Sequence, residues 1–149
     1  VTPMMRGEAA YDAATMRAAA QTIAGRAGAA LTAHFPEGSL HGPSEALPAI
    51  WQDWARFSGL ARRLEVAARG LERAASNPPA AGGGTGGGAG MGAMMGQRDT
   101  GSMMGGDAMM GDGAGMDADR IAQMPADMAF AATTRVCAAC HDDFRAEDD

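Results

Sequence analysis

The stretch Val136-Cys137-Ala138-Ala139-Cys140-His141 constrains this chain more than any other. Two thiols three residues apart, with an imidazole directly after the second, form the C-x-x-C-H signature of c-type haem attachment. The two thiols can add to the two vinyl groups of a haem, and the histidine can bind its iron axially. On a helix, at about 100° per residue, Cys137, Cys140 and His141 point to one side within a single turn. Ala138 and Ala139 are small enough to let a flat macrocycle lie close. The motif therefore asks for a helix with one face given over to a large group.

Three other uses of the same residues compete. A redox dithiol favours the electropositive start of a helix, which lowers a thiol pKa. Here apolar residues precede the cysteines, and Asp142 and Asp143 follow them, so the pair sits late in a helix beside negative charge. A structural zinc site wants four ligands, and His34 and His41 are too isolated to complete one. A disulfide spanning two intervening residues of a helix is strained, because its geometry needs side chains aimed at each other. Haem attachment is the reading that uses every part of the motif.

The 149 residues are enough for one domain with one core, taken as 1–149. A net charge of −6 argues against nonspecific nucleic-acid binding. All 12 basic residues are arginine, and only two Trp, one Tyr and four Phe are present. A core so short of large side chains is thin unless a bulky group fills it, as a haem would. Both cysteines belong to the motif, which leaves none for structural disulfides. No apolar run is long enough to span a membrane. Nor is a charged and apolar leader visible, which reads as mature protein or a fragment. Thioether attachment in bacteria follows export, so the motif implies the periplasm.

Helical periodicity organises the rest. Met4-Met5-Arg6-Gly7-Glu8 reads as a last helical turn closed by glycine. Asp12 caps the next helix, in which Met16, Ala19, Ala20, Ile23, Ala27, Ala30 and Leu31 recur at three and four. That helix is expected to run to His34 or Phe35, ahead of Pro36. Gly25 and Gly28 weaken it unless close packing needs them. Residues 36–48, with three prolines and two glycines, read as an irregular connection. A second strong helix is expected over 49–76, with an apolar stripe including Ile50, Trp51, Trp54, Phe57, Leu60, Leu64 and Leu71. Core packing is the plain role for its aromatics, and a nearby haem would use the same surface. The last helix is expected from Pro125 or Ala126 to Phe144 or Arg145, with a turn or two added over 117–124. Arg145, four residues after His141, either influences the iron's histidine or simply places favourable charge at a helix end. The acidic residues 147–149 read as a frayed tail.

Between the second and last of these helices the character changes. Fifteen of the 22 glycines lie between Gly82 and Gly115, and eight of the 13 methionines between Met91 and Met116. Without apolar periodicity, residues 78–117 read as a disordered insertion. Their thioethers suit Cu(I), so copper handling is an alternative function; compositional drift in a flexible insertion is the plainer explanation.

Continued as Asp142-Asp143-Phe144-Arg145, the motif resembles the C-terminus of class II c-type cytochromes, the cytochrome c prime family. Arg6-Gly7-Glu8 with Tyr11-Asp12 is similar to that family's turn between its first two helices. Phe35-Pro36-Glu37-Gly38 resembles its exit from the second helix, and Pro48-Ala49-Ile50-Trp51 with Phe57 its entry into the third. The resemblance covers residues 4–76 and 124–146. It implies an all-α, antiparallel four-helix bundle carrying one covalent haem c, with His141 as axial iron ligand and Arg145 beside it. It also implies either gas binding at five-coordinate iron or electron transfer at six-coordinate iron, and a possible homodimer. Two departures stand out: the first helix is expected to be largely missing, leaving an apolar trough, and the connection before the last helix is long.

The expected function is thus periplasmic one-electron transfer with a redox partner protein, or binding of diatomic gases (NO, CO), without substrate turnover. His34 or a methionine of the insertion could reach the open side of the iron, although a lone histidine near a helix end is usually just solvated. Peroxide chemistry needs distal acid–base groups, and the sequence offers no distal histidine–arginine pair.

Overall fold

The computed structural model describes residues 1–40, 43–80 and 117–146. The expected disorder and copper binding fall almost wholly on 81–116, and the frayed tail on 147–149; both lie outside the described residues. The described residues form seven helices: α1 (Thr2–Met5), α2 (Ala13–Arg26), α3 (Ala29–Thr32), α4 (Ala49–Gln52), α5 (Trp54–Ala74), α6 (Ala118–Ala122) and α7 (Ala126–Phe144).

Local chemistry explains most boundaries. Asp12 accepts the Thr15 N–H at 2.5 Å and starts α2; these N–H bonds also hold its carboxyl below the usual carboxylate range. After α1 the chain turns at Gly7, whose φ of 73° favours glycine, so the expected glycine-closed turn is present. Asp117 caps α6 by accepting the Arg120 N–H. Pro125 precedes the first residue of α7, where its missing N–H costs nothing.

Two expected helices are interrupted. The helix foreseen from Asp12 to His34 or Phe35 stops at Arg26 and resumes as α3, because Gly28 takes a φ of 58°. There the backbone leaves the helix and donates the Gly28 N–H to the Ala61 carbonyl of α5 at 2.9 Å. A side chain at Gly28 would overlap the Glu65 carboxylate, so close packing is indeed what this glycine serves. The helix foreseen over 49–76 likewise breaks at Asp53 (φ −129°, ψ 60°), whose carboxylate accepts the Arg56 N–H and starts α5 afresh.

Helix α5 is the central element, with α2, α6 and α7 packed on it. The start of α2 meets the end of α5, where the Tyr11 hydroxyl donates to the Ala75 carbonyl at 2.7 Å. The start of α5 meets the end of α7 through the Arg56–Asp143 ion pair at 2.6 Å. Consecutive long helices therefore run antiparallel. Helices α2 and α7 both lie on α5 without packing to a comparable extent on each other, as diagonal members of a four-helix bundle do. Among the described residues the remaining position holds only the four-residue α1, whose Val1 and Met5 touch the core.

The core has two ends of different make. Near Tyr11 and Asn77 it consists mostly of small residues, with Ala20, Ala67, Ala68, Ala74, Ala75 and Ala129 around Met16, Leu71 and Ile121. A Cβ on Gly70 would come within 2.5 Å of the Ile121 Cβ, so helix α6 lies directly on the α5 backbone. Asn77 closes this end by donating to the Ala122 and Met124 carbonyls at 2.9 and 2.7 Å. The other end is aromatic.

Candidate functional site

Cys137, Cys140 and His141 all lie on α7, less than two turns from its end. The core face of that helix runs through Ala129, Thr133, Val136 and Phe144. Cys140 falls on this line by helical spacing, and Cys137 and His141 fall on its shoulder. Both cysteines are half-buried and unbridged, while His141 is exposed. Burial pushes both thiols above their ordinary pKa; the neighbouring Cys137 and Asp143 push Cys140 further the same way. Thiols held protonated make a poor redox dithiol, which works through a lowered pKa. Among the described residues no group of three or more metal-binding side chains assembles.

A cleft of about 250 Å³ opens beside this face of α7. Cys140, His141, Phe144 and Arg145 line it from the end of α7, together with Leu31, Phe35, Ile50 and Phe57 and with Glu45 and Ala46. Three of the chain's seven aromatic residues, Phe35, Phe57 and Phe144, line it, and Trp51 and Trp54 pack behind Phe35 and Phe57. Phe57, only 3% exposed, takes Phe35 edge-on at 5.1 Å and Phe144 edge-on at 5.4 Å. Trp51 donates its indole N–H to the Phe35 carbonyl at 3.1 Å, fixing the turn that brings Phe35 inward. Core packing thus accounts for Phe57 and, in part, Trp51. It fails for Trp54, which is 41% exposed.

The end of α7 is strapped to the connection before α4. Ala46 pairs with Arg145 in an isolated antiparallel bridge; the Leu47 N–H donates to the Phe144 carbonyl at 2.9 Å and the Ala146 N–H to the Glu45 carbonyl at 2.7 Å. The Arg145 guanidinium, 2.6 Å from the Glu45 carboxylate, is held on the same cleft as His141. Arg145 follows the last residue of α7 and lines the same cleft as His141. Glu45 escaped sequence analysis, because nothing in a proline-bounded loop marks which residue will meet the far end of the chain.

The other donors lie elsewhere. His34 is exposed and takes no part in the cleft wall. The Met4 sulfur accepts the Asp12 N–H at 3.3 Å, which ties it to the turn before α2.

The residues present suit a haem. Two thiols and an imidazole share one side of a helix, next to a cleft lined by Leu31, Phe35, Ile50, Phe57 and Phe144 with Glu45 and Arg145 at it. No described helix is long and apolar enough to cross a membrane.

Comparisons with known proteins agree. A nitric oxide complex of a mutant cytochrome c prime from Alcaligenes xylosoxidans is similar to this chain, with 24% identity and a TM-score of 0.57; the match covers 99% of this chain and 80% of that one. Cytochrome c prime from Shewanella frigidimarina has 23% identity and a TM-score of 0.58, over 98% of this chain and 80% of that one. At such identities these likenesses speak for the fold. Residues 1–97 match the sequence pattern of the family described as Cytochrome C′, a stretch that ends before the C-x-x-C-H motif. No curated protein matches the chain.

Proposed function

We propose a function from one premise: this chain belongs to the cytochrome c′ family. The family's cofactor is covalently bound haem c. Here Cys137 and Cys140 would hold it, each S–H adding across one vinyl double bond with no atom lost, and His141 would supply an axial nitrogen. When bound, the haem provides an iron centre that can change by one electron and ligate diatomic gases. Leu31, Phe35, Ile50 and Phe57 keep water from the cleft wall, and Glu45 holds the Arg145 guanidinium at the cleft that His141 also lines.

On this reading the protein binds nitric oxide or carbon monoxide at five-coordinate iron, in the periplasm and without substrate turnover. One observation carries gas binding ahead of electron transfer. The described cleft wall offers a single imidazole, and its other members are carbon side chains, the motif thiol and an arginine engaged with Glu45. An iron held by that one imidazole would be able to ligate a gas. The nitric oxide complex of the Alcaligenes protein supports the same ligand class. Electron exchange with a partner protein is the second reading, favoured by the exposure of His141 at the protein surface.

Optical and EPR spectra of the purified holoprotein separate the two. Gas binding predicts a high-spin spectrum that shifts when nitric oxide or carbon monoxide is added to the ferrous form. A low-spin spectrum unmoved by either gas contradicts it and leaves electron transfer.

A further inference from the structure

A second cavity, of about 440 Å³, shares Phe35 with the haem cleft. Its lining combines Trp51, Trp54 and Phe35 with Pro36 and the acidic residue Glu37. Its size is that of a small-molecule pocket. None of the motif residues lines it, and three features of it are unusual for this chain.

First, both tryptophans of the protein are here, although aromatic residues are scarce throughout. Second, Trp54 is one of only two large apolar side chains noted as exposed among the described residues, at 41%. It packs on Phe57 at 5.6 Å with a tilt of 42°, and Trp51 is oriented by its bond to the Phe35 carbonyl. The aromatic walls are therefore held rather than loose. Third, Glu37 takes part in none of the ion pairs or side-chain hydrogen bonds among the described residues. By contrast Glu45, Glu65, Asp119 and Asp143 each meet an arginine.

We propose that this cavity binds a small organic cation of the quaternary ammonium class. The rings carry negative charge on their faces, tryptophan most of all, and attract a cation placed over them. A quaternary ammonium is the fitting case because its charge is spread over methyl groups that contact aromatic faces without leaving donors unsatisfied. The Glu37 carboxylate at the same cavity adds a charge of the right sign. An anion would meet that carboxylate. A neutral apolar ligand would gain the ring contacts but nothing from Glu37.

Isothermal titration of the purified holoprotein tests this with choline and with its neutral carbon isostere 3,3-dimethyl-1-butanol. The haem absorption is recorded first, so that loss of haem is not confused with loss of this site. Choline is expected to bind about tenfold more tightly than the isostere, the ratio that a partly desolvated cation–π contact supplies. Trp54→Ala should weaken choline about tenfold and Glu37→Gln by a smaller factor, both leaving the haem spectrum unchanged. Trp54 is exposed and Glu37 lies at the surface, so both variants should fold. Equal binding of choline and isostere, no heat at millimolar choline, or choline affinity unchanged in Trp54→Ala would each overturn the proposal.

Discussion

The two ends of the bundle solve the packing problem in opposite ways. At the Tyr11–Asn77 end, alanines and Gly70 let helices approach until the Ile121 side chain rests on backbone, and hydrogen bonds from Tyr11 and Asn77 close the seam. At the motif end, the few aromatic residues stand around a cleft of about 250 Å³ that they do not fill. Small-residue contact is complete in the polypeptide itself. The aromatic end is shaped for something the polypeptide lacks. A chain with so few bulky residues can keep a bundle fold by closing one end tightly and spending its aromatic residues where a cofactor completes the core.

That contrast can be broken by mutation. The largest effect is expected from Phe57→Ala, which removes the ring that Phe35, Trp54 and Phe144 all pack on. In the holoprotein it should cost about 3–5 kcal/mol by denaturant unfolding, and less in apoprotein, where an unfilled cleft can collapse onto the gap. An equal cost in both forms would mean that the aromatic end is already complete without haem.

Gly70→Ala should cost about 1–3 kcal/mol whether or not haem is present, because the new methyl meets Ile121 and the Ala118 carbonyl. Gly25→Ala is its control: nothing lies within 4 Å of a Cβ there, so the better helix former should add up to about 1 kcal/mol. A Gly70→Ala cost that depended on haem would blur the division between the ends.

The smallest expected effect concerns the thiols. Burial raises the pKa of Cys137 and Cys140 in the folded apoprotein. Folded chains therefore keep protons that unfolded chains have lost. Their contribution to stability is full below the unfolded thiol pKa and disappears as pH rises through the folded values. Iodoacetamide should accordingly alkylate folded apoprotein more slowly than urea-unfolded chain, with the gap narrowing as pH climbs. Equal rates throughout would remove the claim that the fold shields both thiols of α7.

The parts legible in the sequence were those set by local rules. Asp12 as a cap, the glycine turn at Gly7 and the span of α7 each follow from neighbours within a few residues. The motif residues came out on one side of a helix because helical spacing alone decides it. The breaks at Gly28 and Asp53 were not legible, since the apolar periodicity continues through both. Gly28 leaves the helix in order to bond Ala61 and pass Glu65, a demand that only the neighbouring helix reveals. Trp54 has the spacing of a core residue yet stays exposed, at the very start of α5. The strap from Glu45 to Arg145 joins residues 100 apart and left no trace in composition or period.

Everything said of the cleft depends on a porphyrin being bonded to α7. Mass spectrometry of protein expressed with cytochrome maturation machinery tests this most directly. The account predicts a whole-chain mass raised by one haem, with the added mass on the peptide that contains Cys137 and Cys140. An unmodified chain with two titratable thiols would contradict it.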